Sequence, residues 1–221
     1  MMEPLSLKQL LSPVVKAFLG LSLLIAALAA PLAQANWESA SQSMEKVTDQ
    51  MLVLVADEEL RKPENIAPLM QGVDEILGEQ VDYDYIGKSV MGKYVRRASD
   101  EEVSRFSGVF KDTILRTFAK AVSGFDFKGY ETLPPVSESP DPDKQIVSVN
   151  LMSNNGQIYS LVFYVVRDGD NWKLVNVLID GINLRVTFRN QFANLMEKYS
   201  KVGAAIEHWE EAMSSVAEGG A

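Results

Sequence analysis

The period of the apolar residues changes twice along this chain, and the two changes set its fold class. From about residue 38 to about residue 124, apolar side chains recur every three or four residues, as in amphipathic helices. From about residue 127 to Asp180 they alternate, as in strands with one buried face. Helical spacing returns at about Leu184. This order predicts an α+β fold in which helices pack on a curved antiparallel sheet.

Local signals support both kinds of element. Ser99 and Glu102 have the spacing of a capping box, in which a serine begins a helix and the glutamate returns the hydrogen bond. Asn154-Asn155-Gly156 separates two alternating segments and is typical of a hairpin turn, because Asn-Gly tolerates positive φ. Strands joined in this way predict an antiparallel meander.

Residues 1–35 have the order of a secretory signal. A weakly basic start precedes an uncharged apolar run from Ala17 to Ala30, and the small residues Ala33 and Ala35 follow where a signal peptidase reads the chain. The run is shorter than the roughly 20 apolar residues that a bilayer span needs. We expect cleavage after Ala35 and a single periplasmic domain over residues 36–221. An uncleaved N-terminal anchor is the alternative.

The composition excludes several classes of function. The chain has no cysteine, so it has no disulfide, no iron–sulfur cluster and no thiol nucleophile. Its one histidine, His208, cannot by itself build a histidine-rich metal site. The formal net charge of -9 at pH 7 argues against binding to nucleic acid through phosphate contacts. We therefore expect no metal, no cofactor and no nucleic-acid partner.

Catalytic motifs are weak or missing. Gly87-Lys88-Ser89 resembles the end of a phosphate-binding loop, but Asp82 stands where that motif requires its first glycine. The sequence has no Gly-x-Ser-x-Gly motif. Tyr83, Asp84 and Tyr85 leave an acid–base enzyme open, although we expect that the protein is not an enzyme.

The segment around residues 158–166 is apolar on both faces of its predicted strand. Val162 and Tyr164 alternate with Leu161 and Phe163. Such a strand fits a sheet buried on both sides, an oligomer interface or the wall of a ligand cavity. These readings stay open, because periodicity reports which face is apolar and not what lies against it.

Three ordered segments resemble the MlaC family, also called the toluene-tolerance family, and together they span nearly all of the chain after residue 35. They are Tyr83-Asp84-Tyr85-Ile86-Gly87 continuing to Tyr94, then Phe106, Phe110, Leu115 and Phe118, and finally Trp172-Lys173-Leu174 with Asp180-Gly181-Ile182-Asn183-Leu184 and Phe192. Tyr94 stands where tryptophan is common in the family, and Asn183 stands where serine is common.

The resemblance implies an α+β fold related to NTF2-like proteins and enclosing an apolar cavity. It also implies a periplasmic phospholipid-binding protein that carries lipid between the outer and inner membranes and so maintains outer-membrane lipid asymmetry. The implied partners are an inner-membrane ABC transporter with an MCE-domain subunit and an outer-membrane lipoprotein–porin complex. The alternatives are an exported enzyme on a similar fold and an adaptor with a filled core.

Together with the more regular strand alternation, the resemblance predicts which residues contact lipid. The predicted lining is Val90, Met91, Tyr94, Phe106, Phe110, Ile114, Phe118, Val147, Val149, Leu151, Leu161, Phe163, Val175 and Val177. Lys93, Arg96 and Arg97 are candidate rim residues near a lipid phosphate, and a plain solvated cluster is their alternative. No catalytic or metal-ligating residue is predicted.

Overall fold

The structure is a computed structural model that describes residues 36–123 and 127–218. Its helices are α1 (residues 36–56), α2 (Ile66–Leu77), α3 (Tyr83–Met91), α4 (Asp100–Ser123), α5 (Leu184–Tyr199) and α6 (Val202–Glu218). Its strands are β1 (Phe127–Leu133), β2 (Lys144–Ser153), β3 (Ile158–Asp168), β4 (Asn171–Ile179) and β5 (Ile182–Asn183). The signal peptide predicted at residues 1–35 lies outside the described residues.

The two local signals form as predicted. The backbone N–H of Ser99 donates to Oε2 of Glu102 at 2.9 Å, and the N–H of Glu102 donates to Oγ of Ser99 at 3.1 Å. These bonds satisfy donors that the first turn of α4 leaves without a partner inside the helix. Gly156 has a φ of 85° in the turn between β2 and β3, where a side chain would be strained.

The strands form one five-stranded antiparallel sheet in the order β1-β2-β3-β4-β5. One row of residues crosses all five strands in register, as Thr132, Val149, Leu161, Ile179 and Ile182. Residues directly opposite in a sheet point to the same side, so this row defines one face, here called the inner face. The predicted α+β class with a curved antiparallel sheet is confirmed.

Helix α1 lies against the inner face. Its residues Ala40 and Met44 share one buried cluster with Val147 and Val149 of β2 and with Trp172 of β4. The Trp172 indole Nε1 donates to Oγ of Ser39 in α1 at 3.1 Å. This packing fixes α1 across one end of the sheet.

A second cluster holds the helices to one another. Phe106 of α4, Phe192 of α5 and Trp209 of α6 are almost completely buried in it, together with Val90 and Met91 of α3. Nε1 of Trp209 donates to the hydroxyl of Thr113 at 3.2 Å, so the indole is satisfied inside this apolar group. One buried cluster thus joins the sheet to α1 and another joins α3, α4, α5 and α6, and the space between them positions the candidate site.

None of the helices in residues 36–123 and 127–218 combines the length and the hydropathy that a bilayer crossing requires.

Candidate functional site

An apolar cavity of about 300 Å³ lies between the inner face of the sheet and helices α1 to α5. It is lined by Met44, Val47, Thr48, Met51, Leu52, Val55, Leu77, Gln80, Val81, Tyr83, Ile86, Phe110, Ile114, Phe118, Ala121, Phe127, Leu151, Tyr159, Leu161, Phe163, Leu174, Asn176, Val177, Ile179, Leu184, Arg185 and Phe188. Nearly all of these side chains are aliphatic or aromatic, so the cavity suits a ligand with long hydrocarbon segments.

The sheet forms one wall because alternate residues of its strands point inward. Phe163 of β3 lies opposite Val177 of β4, and Leu161 lies opposite Ile179. Leu151 of β2 lies opposite Tyr159. All of these residues line the cavity, as the period of two requires for neighbours on one face.

The helices form the other wall through residues spaced about one turn apart. Phe110, Ile114 and Phe118 follow one another at intervals of four residues along α4, and all three line the cavity. Helix α1 contributes residues from Met44 to Val55, also at helical spacing. The cavity is therefore bounded by preformed secondary structure on both sides.

The structure brings about half of the predicted lining residues together. Phe110, Ile114, Phe118, Leu151, Leu161, Phe163 and Val177 line the cavity. The others do not line it and are placed elsewhere: Val90, Met91, Phe106 and Tyr94 lie in or against the aromatic helix cluster, Val147 and Val149 pack against α1, and Val175 is buried in β4. The predicted residues therefore divide among the cavity, the aromatic helix cluster and the buried part of the sheet.

Sequence reasoning missed all of the lining that α1, α2 and α5 supply. Met44, Met51 and Val55 are visible in the sequence as one apolar stripe, as are Leu184 and Phe188. A stripe identifies the buried side of a helix, but it carries no signal that separates a filled interior from a cavity.

The predicted rim cations lie at a different place. Lys93, Arg96 and Arg97 line a separate concavity beside Tyr94 and Glu197, and they are not among the residues that line the apolar cavity. The two sites are separated by the length of α3, which is roughly 14 Å at 1.5 Å per residue. The helix begins at the cavity with Tyr83 and ends near the concavity.

Two of these cations have partners that explain their position. Nη2 of Arg97 donates to the backbone carbonyl of Ser200, just after α5, at 2.7 Å. Nζ of Lys93 lies 5.1 Å from the centroid of the Tyr94 ring, and the Arg97 guanidinium lies 5.9 Å from it. Such contacts favour a cation even without a bound anion.

The few polar groups in the lining mostly have local partners. The Thr48 hydroxyl donates to the carbonyl of Met44 at 2.8 Å, and Oδ1 of Asn176 accepts from the backbone N–H of Arg185 at 3.3 Å. The Tyr83 hydroxyl is buried without a hydrogen-bond partner among the described residues. Burial, with a smaller contribution from the charge of Asp74, raises the pKa of Tyr83 well above its ordinary value.

The described lining contains no carboxylate and no imidazole. Of the three residues that left an acid–base enzyme open, Tyr83 contributes its ring to the lining, whereas Asp84 and Tyr85 are exposed. No group of three potential metal-ligating residues occurs in the part of the chain that the structure describes. The arrangement can solvate alkyl chains, and its described side chains offer no acid–base pair.

Comparisons with known proteins found a family, a relative and a solved structure that this chain resembles. The model of the MlaC protein family matches residues 45–211. The toluene tolerance protein Ttg2D of Pseudomonas putida is 33% identical over 127 residues, which are 57% of this chain and 58% of that protein. The chain therefore aligns with somewhat less than two thirds of this relative's length.

A solved structure resembles the fold over most of its length. It is the phospholipid-binding protein from Ralstonia solanacearum in complex with a phospholipid, with a TM-score of 0.73 and 24% sequence identity. The match covers 80% of this chain and 98% of that one. This likeness establishes that the two chains share a fold.

Proposed function

We propose that this chain, which belongs to the MlaC family, is a phospholipid carrier that moves lipid through an aqueous compartment between two membranes. The observation that carries the proposal is the cavity between the helices and the inner face of the sheet, with its almost entirely apolar lining. The solved structure of the same fold was described in complex with a phospholipid, and this supports assigning the cavity to a phospholipid here.

The energetics of lipid transfer favour such a carrier. Exposing one methylene to water costs about 0.8 kcal/mol, so two acyl chains with roughly 30 methylenes would cost about 24 kcal/mol. A free lipid therefore crosses water very slowly. An apolar cavity lowers this cost, and it does not trap the lipid because its interior resembles the interior of the bilayer that supplies and receives the tails.

The size of the cavity bears on how the lipid sits. Its volume of about 300 Å³ is at the lower end of the roughly 300–1,000 Å³ of pockets that hold drug-sized ligands. A phospholipid with two acyl chains is larger than such a ligand. The bound state therefore requires the cavity to widen, or tail segments to extend outside it.

The carrier acts in the periplasm in this proposal, between the inner-membrane ABC transporter with an MCE-domain subunit and the outer-membrane lipoprotein–porin complex. It performs no chemical reaction, and the lack of a carboxylate or an imidazole in the described lining supports a carrier over an enzyme. Direction of transport then comes from the partners.

Native purification followed by solvent extraction and mass spectrometry tests the proposal. We expect phospholipid at one or more molecules per protein, retained through size-exclusion chromatography. The purified protein should also accelerate the exchange of labelled phospholipid between donor and acceptor vesicles. Protein that is folded, carries no phospholipid and takes none up from vesicles would exclude the carrier function.

A further inference from the structure

The cavity reaches solvent at its lining residue Ile179, which is exposed, and this place is here called the mouth. We propose that Ile182 is a lipid contact outside the cavity and that it forms, with Ile179, an apolar lip on which an acyl chain rests at the mouth. This inference rests on the proposed phospholipid carrier. The lip is defined as these two residues, which face each other across the turn between β4 and β5.

The lip is the end of the row that crosses the inner face of the sheet. Val149, Leu161, Ile179 and Ile182 are neighbours in this row, so their side chains point to the same side. Val149 is completely buried under α1, and Leu161 and Ile179 line the cavity. The exposed fraction is 37% at Ile179 and 60% at Ile182, so the apolar row leads from the core through the cavity wall into solvent.

The turn that carries the lip is fixed to the sheet. Asp180 and Gly181 both have positive φ, 47° and 80°, which is the geometry of a tight two-residue hairpin. The Asp180 carboxylate accepts from the backbone N–H of Ser160 at 2.8 Å, and the Asp180 N–H donates to the Ser160 carbonyl at 2.8 Å. These bonds to β3 hold Ile182 in place beside the mouth, although most of its surface is exposed.

A lipid would use this surface because the cavity is small for a diacyl ligand. Tail segments that extend beyond the cavity need apolar protein beside them, since each exposed methylene is costly. Ile182 continues the lining without a polar interruption, because its cross-strand neighbour Ile179 is itself a lining residue. The lip therefore shields the part of the lipid that enters last and leaves first.

Ile158 provides a matched control. It is an isoleucine at a strand end with 62% of its surface exposed, close to the 60% of Ile182. It lies opposite Met152 and precedes Tyr159, which lines the cavity. Because side chains alternate along a strand, Ile158 points to the outer face of the sheet.

The transfer experiment compares the full chain with Ile182→Asn, Ile182→Leu and Ile158→Asn. Labelled phosphatidylethanolamine moves between vesicles of phosphatidylethanolamine and phosphatidylglycerol, and the initial rate is measured. Ile182→Asn should lose about half of the burial energy of one isoleucine side chain. We therefore expect its initial rate of transfer to be about fivefold lower than that of wild type. Ile158→Asn should stay close to wild type, and Ile182→Leu, which keeps an apolar side chain, should slow transfer less than Ile182→Asn does. Equal rates for Ile182→Asn and Ile158→Asn would overturn the inference.

A second measurement detects contact directly and does not depend on the stability of the asparagine variant. The chain has no cysteine, so Ile182→Cys and Ile158→Cys can each carry a single bimane label. Phospholipid with brominated acyl chains should quench the label at position 182 and leave the label at position 158 unquenched. The same quenching at both positions, or at neither, in protein that has taken up the lipid would contradict the lip.

The outcomes separate this inference from the function on which it rests. If wild-type protein neither retains nor transfers phospholipid, the proposed function fails and the lip fails with it. If wild-type protein transfers phospholipid but position 182 behaves like position 158, the lip alone fails.

Discussion

Phe110 of α4 and Phe188 of α5 meet edge to face, with ring centroids 5.3 Å apart and planes inclined at 87°. Both rings line the cavity on one side. On the other side each lies about 6 Å from the ring of Trp209 in the buried helix cluster, at 6.1 Å and 6.0 Å. This pair therefore separates the hollow part of the molecule from its solid aromatic core.

The first prediction concerns this partition. Phe110→Ala removes the ring that belongs to both regions, and truncation of a buried phenylalanine typically costs about 3–5 kcal/mol of the free energy of unfolding. We expect a loss in that range, measured by urea denaturation. We also expect the cavity to extend toward Trp209, and indole fluorescence should then respond to brominated phospholipid.

Val136→Ala is the control for this prediction. Val136 is fully exposed in the loop between β1 and β2, so its truncation should change the free energy of unfolding by less than about 0.5 kcal/mol. A Phe110→Ala variant as stable as Val136→Ala would show that Phe110 does not support the partition.

The sequence predicts the fold well because its signals are local. The Ser99–Glu102 pair and the Asn154-Asn155-Gly156 turn each act through neighbouring residues, and both form as expected. The change of period near residue 127 marks the start of the sheet for the same reason. Such features depend little on the rest of the molecule.

The lining of the cavity is only partly predictable, because it depends on what lies opposite each apolar face. Phe106, Phe110, Ile114 and Phe118 form one stripe in the sequence, but Phe106 is buried against Phe192 and Trp209 and the other three line the cavity. Likewise Val149 and Leu161 are cross-strand neighbours, and α1 fills the space over the first of them. These differences arise from tertiary packing and leave no mark in the periodicity.

The second prediction tests the sheet wall. Leu161→Trp places a larger ring into the cavity, so we expect less phospholipid per protein after native purification and slower transfer between vesicles. Val162→Trp is the matched control, because the adjacent residue points to the opposite face of β3. Wild-type lipid content and transfer in Leu161→Trp would place the ligand elsewhere.

The third prediction concerns the start of α4, the helix that carries Phe110. Ser99→Ala removes the hydroxyl that accepts from the N–H of Glu102, and loss of such an N-cap costs about 1 kcal/mol, within a range of roughly 0.5–2 kcal/mol. The free energy of unfolding should fall by this amount. Ser104→Ala, an exposed change within the same helix, should leave it unchanged or slightly raised; equal losses in both variants would exclude a capping role.

The fourth prediction is a pH dependence centred on Tyr130 of β1. Its hydroxyl donates to Oδ1 of Asp49 in α1 at 2.8 Å. Burial, this hydrogen bond and the charges of Asp49 and Glu45 raise the pKa of Tyr130 to about 12 from its ordinary 10.0. The folded state thus keeps this proton to higher pH than the unfolded state does. The stabilisation is fully present below about pH 10 and is lost as the pH rises from about 10 through 12.

Tyr130→Phe removes this contribution, so its free energy of unfolding should fall less steeply than that of wild type between about pH 10 and pH 12. Asp49→Asn keeps the phenol and removes the charge beside it, and ultraviolet titration should then show a lower pKa for Tyr130. Burial also raises the pKa of the Tyr83 phenol. Part of the fall in the free energy of unfolding with rising pH therefore remains in both variants. Parallel curves for wild type and Tyr130→Phe across this range would show that the contact between β1 and α1 does not couple folding to the proton.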